Sequence, residues 1–162
     1  MVIPYDETLI NSIRDLLISR GQTISVAESV TSGHLQAALS FADNALQFYQ
    51  GGITAYNAGQ KTRHLQVEPI HALTCDCVSE QTAVEMARGS NQLFLSEYAI
   101  GITGYATPQP EDGIHELFAF VAIARRQDLL RATRLLSHEK HPLDVQVDFT
   151  NQALKLFLTA IQ

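Results

Sequence analysis

The alternation of strand-like and helix-like segments is the feature that most constrains how this chain can fold. Five short runs have the β-branched and apolar composition of strands, at residues 23–27, 52–56, 98–103, 117–124 and 129–136. Five stretches have helical spacing of their apolar residues or polar helix composition, at residues 7–20, after Gly33, through Lys61 and Leu65, from an N-cap at Ser79 towards Ser96, and from about Leu143 to Ile161. We interpret Pro69 as part of a loop.

This order of elements predicts the class of fold. Early strand–helix alternation is typical of parallel strands joined by helical crossovers, whereas the last two strands are separated only by residues 125–128 and form a hairpin. The sequence therefore predicts an α/β fold, a three-layer α/β/α sandwich with a mixed, mostly parallel sheet. With 162 residues, we expect a single domain over 1–162.

Charge and composition exclude several functions. The chain has 17 acidic and 11 basic residues and a formal net charge of -6, with no dense basic run, so we expect no nucleic-acid binding. A small phosphorylated ligand remains compatible with this charge, because a few local donors can bind it. The N-terminus does not resemble a signal peptide and no apolar run approaches a membrane span, so we expect a cytoplasmic protein with no membrane partner.

Three polar segments follow predicted parallel strands, at Ser29–Gly33, Tyr56–Lys61 and Thr103–Pro108. In open α/β sheets, ligands bind at the carboxyl ends of the strands. We therefore expect these segments to meet in one site.

Ser29 and Lys61 are candidates for acyl-transfer chemistry. A serine at the start of a helix can act as a nucleophile near free N–H groups and the positive end of the helix dipole, but serine is also a preferred N-cap, for which Thr31 and Ser32 compete. A buried lysine of lowered pKa can serve as its base, and Tyr56 could relay the proton. The alternatives are an exposed helix lysine at position 61 and a half-buried strand tyrosine at position 56.

The remaining candidate ligands do not predict a metal site. His138 and His141 have no third ligand nearby, and Cys75 and Cys77 lack a second cysteine pair. We interpret these residues as surface histidines and ordinary thiols.

Four segments resemble, in order, the motifs of the CinA C-terminal domain family, which contains the nicotinamide mononucleotide deamidases. Residues 27–33 read AESVTSG and are similar to AESCTGG; residues 51–61 read GGITAYNAGQK and are similar to GxVTYSNEAK; residues 77–87 read CVSEQTAVEMA and are similar to AVSEPVxxEMA; residues 102–108 read ITGYATP and are similar to SGIAGP. The resemblance extends over nearly the whole chain.

The resemblance implies a three-layer α/β domain that hydrolyses the carboxamide of a pyridine nucleotide and releases ammonia, without a metal or cofactor. It places the nucleophile at Ser29, the general base at Lys61 and its proton-transfer partner at Tyr56. Other positions implied to shape the serine loop or to bind substrate are Glu28, Thr31, Gly33, Gly104, Ala106 and Thr107. A homo-oligomer is an open expectation.

The chain also departs from the family pattern. Val30 and Ser32 replace a cysteine and a glycine, and Tyr105 and Thr107 replace an isoleucine and a glycine. The family's glycine-rich loop GPxGGxxxKPVG is represented by the shorter TPQPEDG at 107–113, without the double glycine or the Lys-Pro. Two hypotheses follow: an active amidohydrolase, or a catalytically silent relative that binds a nucleotide or a protein partner through the altered loop.

Overall fold

The computed structural model describes residues 2–162, over which eleven helices and strands form. In chain order they are α1 (Glu7–Arg20), β1 (Ile24–Glu28), α2 (His34–Ser40), β2 (Tyr49–Thr54), α3 (Ala58–Leu65), α4 (Pro69–Thr74), α5 (Glu80–Phe94), β3 (Tyr98–Gly104), β4 (Leu117–Arg125), β5 (Asp128–Ser137) and α6 (Pro142–Ile161).

The five strands form one mixed sheet in the order β2-β1-β3-β4-β5. β1 pairs in parallel with both β2 and β3, whereas β4 is antiparallel to both β3 and β5. Four of the five strands therefore run in one direction, which confirms the predicted mixed, mostly parallel sheet. The carboxyl ends of β1, β2 and β3 lie side by side at one edge of this sheet.

Helices cover both faces of the sheet and make the three predicted layers. On one face, α1, α2 and α6 bury large apolar side chains against the strands, such as Leu17, Leu35 and Phe149. On the other face, α5 packs against small strand residues, including Ala99 and Ala122. A Cβ at Gly101 would lie 2.3 Å from the carbonyl oxygen of Ala83, so α5 packs directly on the backbone of β3.

Two predicted boundaries are wrong in instructive ways. Pro69 begins α4 rather than lying in a loop, because proline suits the first turn of a helix and the Glu68 carboxylate caps it by accepting from the N–H groups of Ile70 and His71. The second strand ends at Thr54, two residues earlier than predicted, so Tyr56 lies in a connection.

None of the helices within residues 2–162 combines the length and apolarity needed to cross a bilayer.

Candidate active site

The turn after β1 is built around the buried carboxylate of Glu28. Its Oε2 accepts from the Thr31 hydroxyl at 2.6 Å and from the N–H groups of Gly33 at 3.0 Å and Leu35 at 3.1 Å, and its Oε1 accepts from the N–H of Gln36 at 2.8 Å. Glu28 therefore satisfies the free donors at the start of α2. It also occupies the positive end of the α2 dipole.

This arrangement corrects the prediction for Ser29. Helix α2 begins at His34, and its N-cap residue Gly33 makes no side-chain cap bond, so Ser29 is not the helix cap. Because Glu28 takes the first donors of α2, the helix dipole is not available to Ser29 either. The backbone N–H of Val30, a residue that lines the cavity described below, donates to no acceptor within residues 2–162.

Lys61 approaches Ser29 from the neighbouring helix. Asn57 caps α3 by accepting from the N–H of Gln60, which places Lys61 on the buried side of the first turn. The Lys61 Nζ donates to the Ser29 Oγ at 2.9 Å. Lys61 is 1% exposed and Ser29 is 7% exposed, so the interpretation of Lys61 as an exposed helix lysine is wrong.

The surroundings of Lys61 change its basicity. Burial lowers the pKa of the Lys61 amine, and the nearby Cys77 and Asp76 oppose this shift only in part. Desolvation disfavours the ammonium form, so the amine loses its proton more readily than an exposed lysine does. A buried amine of this kind, bonded to a serine hydroxyl, has the chemistry of a general base paired with a nucleophile.

A cavity of about 360 Å³ opens beside this pair at the carboxyl edge of the sheet. The three predicted polar segments meet there, because Ser29, Tyr56 and Thr103 all line it. Of the predicted substrate-binding residues, Gly104, Ala106 and Thr107 line the cavity. Glu28, Thr31 and Gly33 do not line it, and the hydrogen bonds of Glu28 show that this group shapes the turn behind the serine.

Tyr56 lies on the cavity wall but apart from the buried pair. Its side chain is 69% exposed, which corrects the interpretation of a half-buried strand residue. Among residues 2–162, no hydrogen bond joins its hydroxyl to Ser29 or Lys61. Its role as a proton-transfer partner therefore stays a prediction.

Sequence reasoning missed several cavity residues, among them Asp76, Cys77 and Gln146. Asp76 and Cys77 follow α4 with positive φ angles of 51° and 60°, and the Cys77 carbonyl accepts from the Thr103 hydroxyl at 2.7 Å. Burial raises the pKa of the Cys77 thiol, which the Lys61 charge opposes. The motif resemblance that begins at Cys77 was the one signal that could have drawn attention to this connection.

The altered loop at 107–113 forms a compact turn. Gln109 and Ile114 exchange two backbone hydrogen bonds of 2.9 Å each, and Pro110–Asp112 forms one 3₁₀ turn between them. Gln109 is the residue of this turn that reaches the cavity beyond Thr107.

No group of three or more His, Cys, Asp or Glu residues in the described chain could hold a metal ion. His141 instead caps α6, where its side chain accepts a hydrogen bond from the N–H of Leu143.

The sheet order and the buried serine–lysine pair at its carboxyl edge define a class of small α/β domain with a potential nucleophile and base in one cavity. The family model of the CinA C-terminal domain matches residues 6–161, and the chain belongs to that family.

The relatives agree with this assignment. A CinA-like protein of Picosynechococcus sp. is 40% identical over 100 residues, which cover 62% of this chain and 24% of that protein. A putative competence-damage inducible protein of Desulforudis audaxviator is 32% identical over 152 residues, which cover 93% of this chain and 36% of that protein. The chain therefore spans between 24% and 36% of the length of these two relatives.

Solved structures show the same fold. The competence damage-inducible protein A of Klebsiella pneumoniae superposes with a TM-score of 0.89 at 28% identity and covers 95% of each chain. The competence/damage inducible protein CihA of Agrobacterium tumefaciens also has a TM-score of 0.89, over 100% of each chain, and at 22% identity it supports the fold alone.

Proposed function

We propose that this protein is an amidohydrolase of the nicotinamide-nucleotide amidase type, which converts the carboxamide of nicotinamide mononucleotide to the acid and releases ammonia. The observation that carries the proposal is the 2.9 Å contact between the Lys61 Nζ and the Ser29 Oγ, buried beside a ligand-sized cavity. Burying a lysine amine costs free energy, so the stability of the fold alone does not explain its position beside Ser29.

The proposed reaction proceeds through a covalent ester. The neutral Lys61 amine takes the hydroxyl proton of Ser29 while the Oγ forms a bond to the carboxamide carbon, and the C=O π electrons move to the oxygen. The free backbone N–H of Val30, which lines the cavity, is a candidate to stabilise this oxyanion. When the C=O bond reforms, the C–N bond breaks and Lys61 returns its proton to the departing nitrogen, which leaves as ammonia.

Water completes the cycle. It loses a proton to Lys61 and attacks the ester carbon, after which the acid leaves and Ser29 regains its proton from Lys61. The exposed Tyr56 hydroxyl, on the same cavity wall, is free to carry a proton between Lys61 and the leaving group once substrate fills the space between them.

An ammonia-release assay with nicotinamide mononucleotide tests the proposal. Ser29→Ala is expected to lower kcat/KM roughly a thousandfold or more. Ser40→Ala is the matched control, because Ser40 is exposed on α2 and its hydroxyl bonds only the Ala37 carbonyl. Equal activity of the wild type and Ser29→Ala would exclude Ser29 as the nucleophile.

The second candidate is a catalytically silent binder, which the compact, glycine-poor turn at 107–113 favours. This hypothesis predicts no ammonia release at any enzyme concentration, together with a rise in Tm when a pyridine nucleotide is added. Turnover that depends on Ser29 would contradict it. Cytoplasmic location and homo-oligomerisation stay predictions.

A further inference from the structure

The cavity beside Ser29 has a buried polar end and an open end that is partly apolar. Ser29 and Lys61 are almost fully buried, whereas two large apolar side chains of the lining, Tyr56 and Leu73, are 69% and 73% exposed. Among the exposed large apolar side chains of residues 2–162, these are the two that line this cavity. A ligand that reaches Ser29 therefore extends from the buried pair towards apolar side chains that are largely uncovered.

The position of Leu73 follows from how α4 packs. Glu68 caps this helix, and Ala72 is fully buried in an apolar core cluster. Successive residues of an α-helix point about 100° apart, so the burial of Ala72 turns Leu73 out of the core, where it lines the cavity. Ile70 lies about one turn earlier on α4 and is 74% exposed, but it does not line the cavity. The same helix thus offers two exposed apolar side chains, of which one faces the site.

An exposed leucine on its own is ordinary, but Leu73 belongs to a concave site. Small-molecule sites are typically lined by apolar and aromatic side chains, together with a few polar groups that fix the orientation of the ligand. Here the buried polar groups are Ser29 and Lys61, and Val30 and Ala106 add apolar surface to the lining. An apolar ligand surface that covers Leu73 is removed from water together with the leucine, which favours binding. The lining therefore suits a carboxamide at the inner end of the ligand with an apolar ring next to it.

We propose that Leu73 is a specificity-determining residue, whose side chain packs against the aromatic ring that carries the scissile carboxamide. The inference rests on the proposed amide hydrolysis and assigns the ring of the substrate to the α4 side of the cavity. An apolar contact with a ring that keeps its structure during the reaction is equally strong in the ground state and in the transition state. Leu73 therefore contributes to substrate binding and not to the chemical step.

Truncation of Leu73 tests the contact through its effect on KM. In the ammonia-release assay with nicotinamide mononucleotide, Leu73→Ala should raise KM about fivefold or more and leave kcat within about twofold, because uniform binding is lost. Leu73→Met keeps the apolar length of the side chain and should have a KM within about twofold of the wild type. Ile70→Ala is the matched control and should leave both constants unchanged. An unchanged KM in Leu73→Ala, or an equal rise in Ile70→Ala, would overturn the proposal.

Benzamide separates the ring from the rest of the substrate, because it consists of an aromatic ring and a carboxamide alone. It should compete with nicotinamide mononucleotide, and Leu73→Ala should raise its inhibition constant by the same factor as KM, to within about twofold. A rise in KM without a rise in the benzamide constant would place Leu73 against the ribose or the phosphate and would contradict the ring contact. The proposal is also wrong if benzamide does not inhibit the wild type.

Two other roles of Leu73 give different results. Because Leu73 is mostly exposed, the Tm of Leu73→Ala should stay within about 2 °C of the wild type, and a larger decrease would show a structural role instead. If Leu73 and Ile70 form an interface between two copies of this chain, both alanine variants should lower the molecular mass measured by size-exclusion chromatography with light scattering. Either result would overturn the proposal.

Failure of the proposed hydrolysis has its own signature. If the wild-type protein releases no ammonia from any amide tested, the proposed activity is wrong. The ring contact is then measured as the Kd of benzamide by calorimetry. A Kd that is roughly fivefold or more weaker in Leu73→Ala than in the wild type and in Ile70→Ala supports the contact. An unchanged Kd, or no binding of benzamide to the wild type, overturns it.

Discussion

Replacing Glu28 by glutamine should destabilise the fold more than any other change of one carboxylate to an amide in this chain. The Glu28 carboxylate accepts four hydrogen bonds, three from backbone N–H groups and one from Thr31. A glutamine can place one oxygen where Oε2 lies, but its NH₂ group then faces the N–H of Gln36, donor against donor.

The magnitude follows from these contacts. One hydrogen bond to a charged acceptor is lost, worth about 1.5–3 kcal/mol, and the remaining three weaken because the acceptor becomes neutral. The favourable interaction of the carboxylate with the α2 dipole disappears as well. Against this, a buried amide is easier to desolvate than a carboxylate. We therefore expect a loss of about 2–4 kcal/mol in the free energy of unfolding.

Urea denaturation followed by circular dichroism measures this change, and thermal unfolding should show a decrease in Tm of about 4–16 °C for a domain of this length. Glu80→Gln is the matched control. Glu80 also lies in the first turn of a helix, but it is exposed and Ser79 supplies the cap bond, so its loss should cost about 0.3–1 kcal/mol. If Glu28→Gln costs no more than Glu80→Gln, the Glu28 carboxylate does not stabilise the serine turn.

Four further outcomes are expected. Lys61→Met should abolish ammonia release yet raise Tm at pH 7, because methionine fills similar space without a buried amine. In the wild type, kcat/KM should rise with pH through the lowered pKa of Lys61 and level off below its ordinary value of 10.5, since the base must be neutral, and a pH-independent rate would contradict the assignment. The destabilisation by the charged amine is greatest below that lowered pKa and is relieved as the pH rises from the lowered pKa towards 10.5. Tyr56→Phe should lower kcat by about a hundredfold while leaving the free energy of unfolding within about 0.5 kcal/mol, and an unchanged kcat would exclude a proton relay. Gly101→Ala should cost roughly 1–3 kcal/mol in urea denaturation, because its Cβ would lie 2.3 Å from the Ala83 carbonyl oxygen, and a neutral result would mean that α5 moves away without cost.

The architecture could be predicted from the sequence because its signals are local. Period-3.6 and strand-like patterns, the N-cap at Ser79 and the hairpin around residues 125–128 each depend on a few neighbouring residues. The structure has all of them within three positions, the largest difference being the start of β2 at Tyr49. Pro69 was misinterpreted because the same residue type occurs in loops and in the first turn of helices, and only the Glu68 cap distinguishes the two.

The geometry of the candidate site was less accessible to sequence reasoning, because it depends on tertiary contacts. A lysine on a short polar helix is ordinarily exposed, and nothing within α3 indicates that its first turn faces Ser29. Likewise, a glutamate at the end of a strand gives no sign that its carboxylate folds over the next turn to cap α2. The strand ends and the resemblance to a family both predicted that Ser29 and Lys61 share one site, whereas Asp76 and Gln146 come to the cavity from segments without a local signal.

The direct packing of α5 on the β3 backbone has a consequence for how this domain can change over time. Gly101 and the adjacent alanines leave no room for larger side chains, so the helix and the strand cannot be repacked one residue at a time. The Thr103 hydroxyl, two residues after Gly101, holds the Cys77 carbonyl beside the cavity. We therefore expect that sequence drift is slow along this strand and fast in the 107–113 turn, which bonds mainly to itself. New substrate preferences in such domains should arise by exchange of that turn.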